Sequence, residues 1–282
     1  MKPFTLNIRG NLLRVERPMI MGIINVTPDS FWEGSRAADA DSIAGRAAAM
    51  IADGADIIDL GACSTRPGAE TCDAATEEAR IAVGVEAVRS VSADIPLSVD
   101  TFRASVARSA VEHGADIVND ISGGDLDPEM MPTVASLHVP YIMMHMRGTP
   151  ATMQSMCDYP DGVVAEVVAD LSRKIERFRL AGVADIIADP GLGFAKTVGQ
   201  NYELLRSTAE IEELLGTPVL IGLSRKSMLT RPLGITAAEA LEATTAANTL
   251  ALVNGAAILR VHDVKAAVEA REIVSLTYPT PA

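Results

Sequence analysis

The sequence predicts an α/β fold: eight parallel strands closed into a (β/α)8, or TIM, barrel, preceded by a short N-terminal β-hairpin. Three observations predict it. Eight short apolar runs recur along the chain, led alternately by proline and by glycine. Helical stretches separate them. The residues available for a core are aliphatic, since 48% of the chain is hydrophobic and only 4% aromatic. Such a mix suits buried parallel strands better than an all-β sandwich.

The elements follow in order. Phe4, Leu6 and Ile8 alternate with Thr5, Asn7 and Arg9, and Gly10-Asn11 can turn the chain. Residues 1–17 are therefore expected to form a hairpin that plugs the N-terminal mouth of the barrel. The barrel takes residues 18–282. Its proline-led strands are 18–25, 96–100, 140–145 and 218–224, where a leading proline removes no interior ladder bond. Its glycine-led strands are 54–59, 114–120, 182–189 and 255–260, with the glycine suited to the left-handed residue just past a helix. Residues 40–52, 74–91, 104–113, 163–180, 203–215, 237–253 and 265–274 carry spaced apolar positions without internal proline, so they read as helices. Residues 129–137 contain Pro132 and give the weakest helical signal. Strands alternating with helices imply βαβ units, and eight units match a closed barrel. An open doubly wound sheet is the alternative, but no Gly-x-Gly-x-x-Gly follows the first strand.

Charge narrows the partners. With 24 basic and 37 acidic residues the net charge is −13, which argues against nucleic acid and anionic membranes. An anionic substrate would need its positive charges gathered locally. Cys63, Cys72 and Cys157 are odd in number and form no Cys-x-x-Cys pair, which fits neither a disulfide framework nor a zinc knuckle. No apolar run approaches the roughly 20 residues of a membrane span. No signal peptide is visible, and a cytoplasmic protein is expected.

In a (β/α)8 barrel the strand C-termini face the active site. Here they end on Asn25, Asp59, Asp100, Asn119-Asp120, His145, Asp189, Ser224-Arg225-Lys226, and Arg260 with His262. One such residue is a strand-end cap. Eight ends furnished at once point to a site, because buried charges are costly unless paired or used. Asp100, Asn119 and Asp189 suit a flat heterocycle with several N–H donors. Lys226, Arg260, His262 and Arg66 suit a phosphate or diphosphate. The loops 26–36 and 61–69 are long for βα connections. Solvated turns are the plain reading. A lid is the functional one, with Phe31 and Trp32 near its tip. His113 and His138 read as structural, His145 is ambiguous, and Met143, Met144 and Met146 read as core, with one of them free to face a ring.

These residues resemble the motifs of dihydropteroate synthases. The segments are Asn25-Val26-Thr27-Pro28-Asp29-Ser30-Phe31, Ser64-Thr65-Arg66-Pro67-Gly68, Asp100-Thr101-Phe102-Arg103, Asn119-Asp120, Met144-His145-Met146-Arg147-Gly148-Thr149-Pro150, Asp189-Pro190-Gly191-Leu192-Gly193-Phe194, Ser224-Arg225-Lys226-Ser227 and Arg260-Val261-His262-Asp263. They occur in the family's order and span nearly the whole chain. The resemblance implies a transferase that joins 6-hydroxymethyl-7,8-dihydropterin diphosphate to p-aminobenzoate in folate biosynthesis. It implies pterin binding by Asp100, Asn119, Met143, Asp189, Lys226 and Arg260, and diphosphate binding by Asn25, Arg66 and His262. Asn25 would also help to hold Mg2+. Phe31, Thr65, Pro67, Phe194 and Ser227 would shape the p-aminobenzoate pocket. Arg66, Lys226, His262 and Asp100 would carry the catalysis.

A cytoplasmic homodimer, sensitive to sulfonamides, is implied as well. Ala62-Cys63 stands where the family commonly has a second glycine, which puts the course of that loop in question. Two rivals are weighed against this reading. A pterin-dependent methyltransferase would pass a methyl group to a corrinoid protein and would not need the Ser-Thr-Arg-Pro-Gly loop. An inactive pterin-binding homologue should have lost some of Arg66, Lys226, Arg260 and His262, yet all four are present.

Overall fold

The computed structural model describes residues 1–26, 36–63 and 72–278, and the side chains of all of these but 36–39. The chain opens on an antiparallel hairpin, β1 (Phe4–Ile8) and β2 (Asn11–Val15). Ile8 pairs with Asn11, so the loop is Arg9-Gly10, one residue earlier than the sequence suggests. Both loop residues have positive φ, +52° and +78°. That is the twist a two-residue hairpin loop needs. Arg9 tolerates it while anchored, its guanidinium meeting the Asp116 carboxylate at 3.0 Å and the Ala93 carbonyl at 2.6 Å.

Eight strands follow: β3 (Met19–Asn25), β4 (Ile57–Gly61), β5 (Leu97–Asp100), β6 (Ile117–Asp120), β7 (Tyr141–Met144), β8 (Ile186–Asp189), β9 (Leu220–Ile221) and β10 (Ile258–Val261). They hydrogen-bond in the order β8-β7-β6-β5-β4-β3-β10-β9, every pair parallel. A parallel bridge between Ala188 and Val219 joins the two ends of the sheet. This is the (β/α)8 barrel the alternation predicts.

The helices are α1 (Arg36–Ala52), α2 (Ala74–Val91), α3 (Ala104–Glu112), α4 (Met130–Leu137), α5 (Val163–Leu180), α6 (Val198–Arg206), α7 (Thr208–Leu215), α8 (Ser227–Leu233), α9 (Leu241–Val253) and α10 (Val264–Thr277). Pro132 does not break α4, because it is the third residue, where the missing N–H has no acceptor in the helix. The single helix expected over 203–215 is two, meeting at Ser207. Thr197 starts the first of them in a capping box with Gln200. A short 3-10 turn, Met153–Ser155, and α8, which contains Pro232, escape the sequence reading. No helix among the described residues is long and apolar enough to cross a membrane.

Side chains alternate along each strand. One set, Ile20, Ile24, Ile58, Leu60, Val99, Val118, Tyr141, Met143, Ile221 and Leu259, packs under the helices. The other set points inward. Met21, Ile57, Ile117, Ile142, Ile187, Leu220 and Ile258 form an apolar floor, and Leu6, Ile8 and Val15 of the hairpin pack onto it. Two residues further along the same strands stand Asp59, Asn119, Met144, Asp189, Gly222 and Arg260. The change from oil to charge thus occurs between one inward layer and the next.

Candidate active site

Arg260 is the hub of that charged layer. Its Nε donates to Asp59 Oδ2 at 2.6 Å and its Nη2 to Asp100 Oδ2 at 2.7 Å. Asp59 is fully buried, and Asn119 Nδ2 donates to its Oδ2 at 3.3 Å. One guanidinium therefore serves two carboxylates. Burial opposes its charge, but Asp59 and Asp100 outweigh this and hold it protonated. Burial, only partly offset by Arg260 and assisted by Asp59, raises the Asp100 pKa to about 7.

Gly222 lies between Arg260 and Lys226. A Cβ there would stand 3.8 Å from Arg260 Cβ and 3.9 Å from Lys226 Nζ, so glycine keeps the space between the two cations open. Lys226 Nζ donates to the Leu192 carbonyl at 2.6 Å and lies 4.8 Å from the centre of the Phe194 ring. Burial lowers its pKa to about 8, against the pull of Asp189. Asp189 is itself buried, which raises its pKa. Lys226 and the Gly191 N–H, which donates to its Oδ1 at 2.7 Å, act in the other direction. The loop 190–196 can pass this close only because of Gly191, which has φ of +71° and whose Cβ would lie 2.0 Å from the His145 carbonyl.

Lys196 fastens that loop from beneath. Its Nζ donates to the carbonyls of Phe194 (2.8 Å) and Gly191 (3.0 Å) and lies 3.0 Å from His145 Nδ1. Burial brings Lys196 down to about 7 and His145, beside it, to about 2. At neutral pH the imidazole is uncharged and accepts from the lysine. His145 is thereby a support for the loop.

At the β9 and β10 ends, His262 Nδ1 lies 2.9 Å from Ser224 Oγ, which also accepts from the His262 N–H at 3.2 Å. Arg225 joins the same two segments through both oxygens of Asp263, at 2.9 and 2.7 Å. Asn25, exposed at the end of β3, faces Asp100 across Gly61. Its Oδ1 and Asp100 Oδ2 lie 3.5 and 3.8 Å from where a Gly61 Cβ would stand.

The structure thus brings together Asp100, Asn119, Asp189, Lys226, Arg260 and Phe194, with Asn25 beside Asp100. His262 stands at the neighbouring strand end, and Ser227 is exposed at the first residue of α8. Phe31, Thr65, Arg66 and Pro67, with Trp32 and the expected lid, lie outside the described residues. Met143 is a correction: it packs under the helices among Tyr141, Ile186 and Ala188, one residue out of step with the inward set. Met144 takes the inward place and clusters with Ile121 and Met146, against Phe102 and Phe194. Strand ends alone give Asp59 no partner, and nothing in the sequence marks Lys196 except a lysine in an apolar stretch after Gly193.

Fold and site define a barrel enzyme whose C-terminal strand ends hold acceptors for a flat heterocycle beside cations for an anion. The family model described as pterin binding enzyme matches residues 21–262. A dihydropteroate synthase of Synechocystis sp. is 44% identical over 254 residues, covering 89% of this chain and 87% of that protein. The dihydropteroate synthase of Xanthomonas albilineans, solved with 4-aminobenzoic acid, superposes with a TM-score of 0.89 at 37% identity, covering 99% of this chain and 100% of that one. That of Yersinia pestis, solved in a sulfonamide drug complex, gives 0.89 at 38%, covering 97% and 99%. The chain belongs to the dihydropteroate synthase family.

Proposed function

We infer that this chain is a transferase that condenses 6-hydroxymethyl-7,8-dihydropterin diphosphate with p-aminobenzoate, giving 7,8-dihydropteroate and diphosphate in folate biosynthesis. The observation that carries the reading is the inward layer in which Asp189, Asn119 and Asp100 stand beside Lys226 and Arg260. A pterin edge is rich in N–H donors, and these acceptors match it. Lys226 donates to the ring carbonyl, and the guanidinium of Arg260, held edge-on by two carboxylates, offers a face for stacking.

The C–O bond to diphosphate breaks, the electron-rich ring supports the methylene cation, and the amine nitrogen attacks and then loses its proton. No strong general base is needed for this. The protein positions the two partners, stabilises the departing charge with Arg66 and His262, and keeps water from the cation. The oxygens of Asn25 and Asp100 across Gly61 are hard donors of the kind Mg2+ takes beside phosphate oxygens. Asn25 would help to hold the ion, which supplies neutralising charge to the diphosphate. Phe194, Ser227, Phe31, Thr65 and Pro67 are assigned to p-aminobenzoate, and the solved relatives with 4-aminobenzoic acid and a sulfonamide support competition between those two ligands here. A homodimer and a cytoplasmic location belong to this reading as well.

Diphosphate release measured with Mg2+, with and without p-aminobenzoate, tests it. Release coupled to dihydropteroate formation, inhibited by a sulfonamide and reduced at least about 100-fold in Asp189→Asn, is the expected result. Corrinoid-dependent methyl transfer without diphosphate release would replace it.

A further inference from the structure

Two cysteines stand together where the proposed reaction gives them no part. Cys63 follows β4 and Cys72 precedes Asp73, the N-cap of α2. Both are free and half-buried. The Cys72 N–H donates to Cys63 Sγ at 3.3 Å, and the two sulfurs and a Glu77 carboxylate oxygen all lie within 4.8 Å of one another. Cys157 is on another loop, bonded to the Gln154 carbonyl at 3.4 Å.

Two thiols and a carboxylate could bind a soft cation, but the charges around them oppose it. Arg103 is ion-paired with Glu77 and donates to the Cys72 carbonyl at 2.9 Å, which sets its guanidinium beside the cysteine pair. A metal would have to displace that guanidinium from its carboxylate. A guanidinium beside a sulfur instead favours thiol–disulfide chemistry. The sulfurs sit on segments that are neither strand nor helix, so they can close to the roughly 2 Å of an S–S bond without breaking either element.

We propose that Cys63 and Cys72 form a redox modification site, a dithiol that a small-molecule disulfide such as glutathione disulfide closes into an intramolecular disulfide. Cys63 is the attacking sulfur, since its Sγ accepts the Cys72 N–H and the Arg103 guanidinium stands beside the pair. It displaces one glutathione thiolate, and a mixed disulfide forms at Cys63. Cys72 then attacks that sulfur, the Cys63–Cys72 bond forms, and the second glutathione leaves. The two protons lost by the cysteines go to the two glutathione thiolates. The protein dithiol is oxidised by two electrons and the glutathione disulfide is reduced by two. Burial and the neighbouring Cys63 raise the Cys72 thiol to about 11, which suits the slower, resolving partner.

Full-length protein and the Cys157→Ser variant would be equilibrated in glutathione buffers of stepped redox ratio, quenched in acid, alkylated and mapped by mass spectrometry. The expected result is loss of two alkylatable thiols, a Cys63–Cys72 cross-linked peptide in both proteins, and full reversal by dithiothreitol. Cys63→Ser should leave Cys72 alkylatable, and Cys72→Ser should stop at the glutathione adduct on Cys63. Two thiols that stay alkylatable under oxidising buffer would overturn the proposal, as would separate glutathione adducts on both cysteines or stoichiometric zinc protecting the pair.

Discussion

Lys226 places a titration of the site within ordinary solution pH. Burial lowers its pKa to about 8, so the free enzyme carries the charged donor below that pH and loses it as pH rises through it. The value of kcat/KM for the pterin diphosphate reports the free enzyme, and should therefore fall above about pH 8. Lys226→Arg keeps its charge, so its weaker activity should show no such alkaline limb up to about pH 10. A profile measured on both proteins decides it. Lys196 serves the same loop from below. Lys196→Met strands the Gly191 and Phe194 carbonyls and His145 Nδ1. The loss should be about 3 kcal/mol in urea unfolding, since buried acceptors left without donors cost about 1–3 kcal/mol each. A loss under about 1 kcal/mol would show that the loop holds itself.

At the scale of elements, the capping box of α6 can be weighed alone. Thr197→Ala removes the side-chain acceptor for the Gln200 N–H and should lower stability by about 1 kcal/mol, read as a shift in the thermal midpoint. The same element shows what was legible in sequence. Helices α2 and α5 run over the residues their apolar spacing predicts, because long proline-free stretches bounded by turn residues leave little choice. The break at Ser207 and the helix α8 were not legible, since they depend on local hydrogen bonding and on where a proline falls within a turn. Parity along the strands was legible for Asp100, Asn119, Asp189 and Arg260, which stand two residues beyond an inward apolar residue or serine. Met143, expected to bind the pterin from the resemblance, packs under the helices, and four consecutive buried apolar residues of β7 give no sign in the sequence of which side is which. The pairing of Asp59 with Arg260 joins residues 201 apart and appears only once the ring closes.

The interior of the barrel is apolar where the hairpin covers it and charged at the strand C-termini, and the hairpin is what allows this. Burial of Leu6, Ile8 and Val15 on the floor contributes about 6 kcal/mol at roughly 2 kcal/mol per side chain. Removing residues 1–17 should thus lower the thermal midpoint by about 15 °C or abolish the cooperative transition. A fragment that melts like the full chain would show that the floor needs no cover. The hairpin precedes every barrel strand in the chain, yet its anchors lie far downstream. The Asn7 N–H donates to Asp185 Oδ2 at 2.6 Å, and the Lys2 N–H to Glu212 Oε1 at 3.1 Å. On the ribosome, the segment made before the barrel cannot seat until more than two hundred residues have emerged. During that interval Leu6 and Ile8 have no floor to cover.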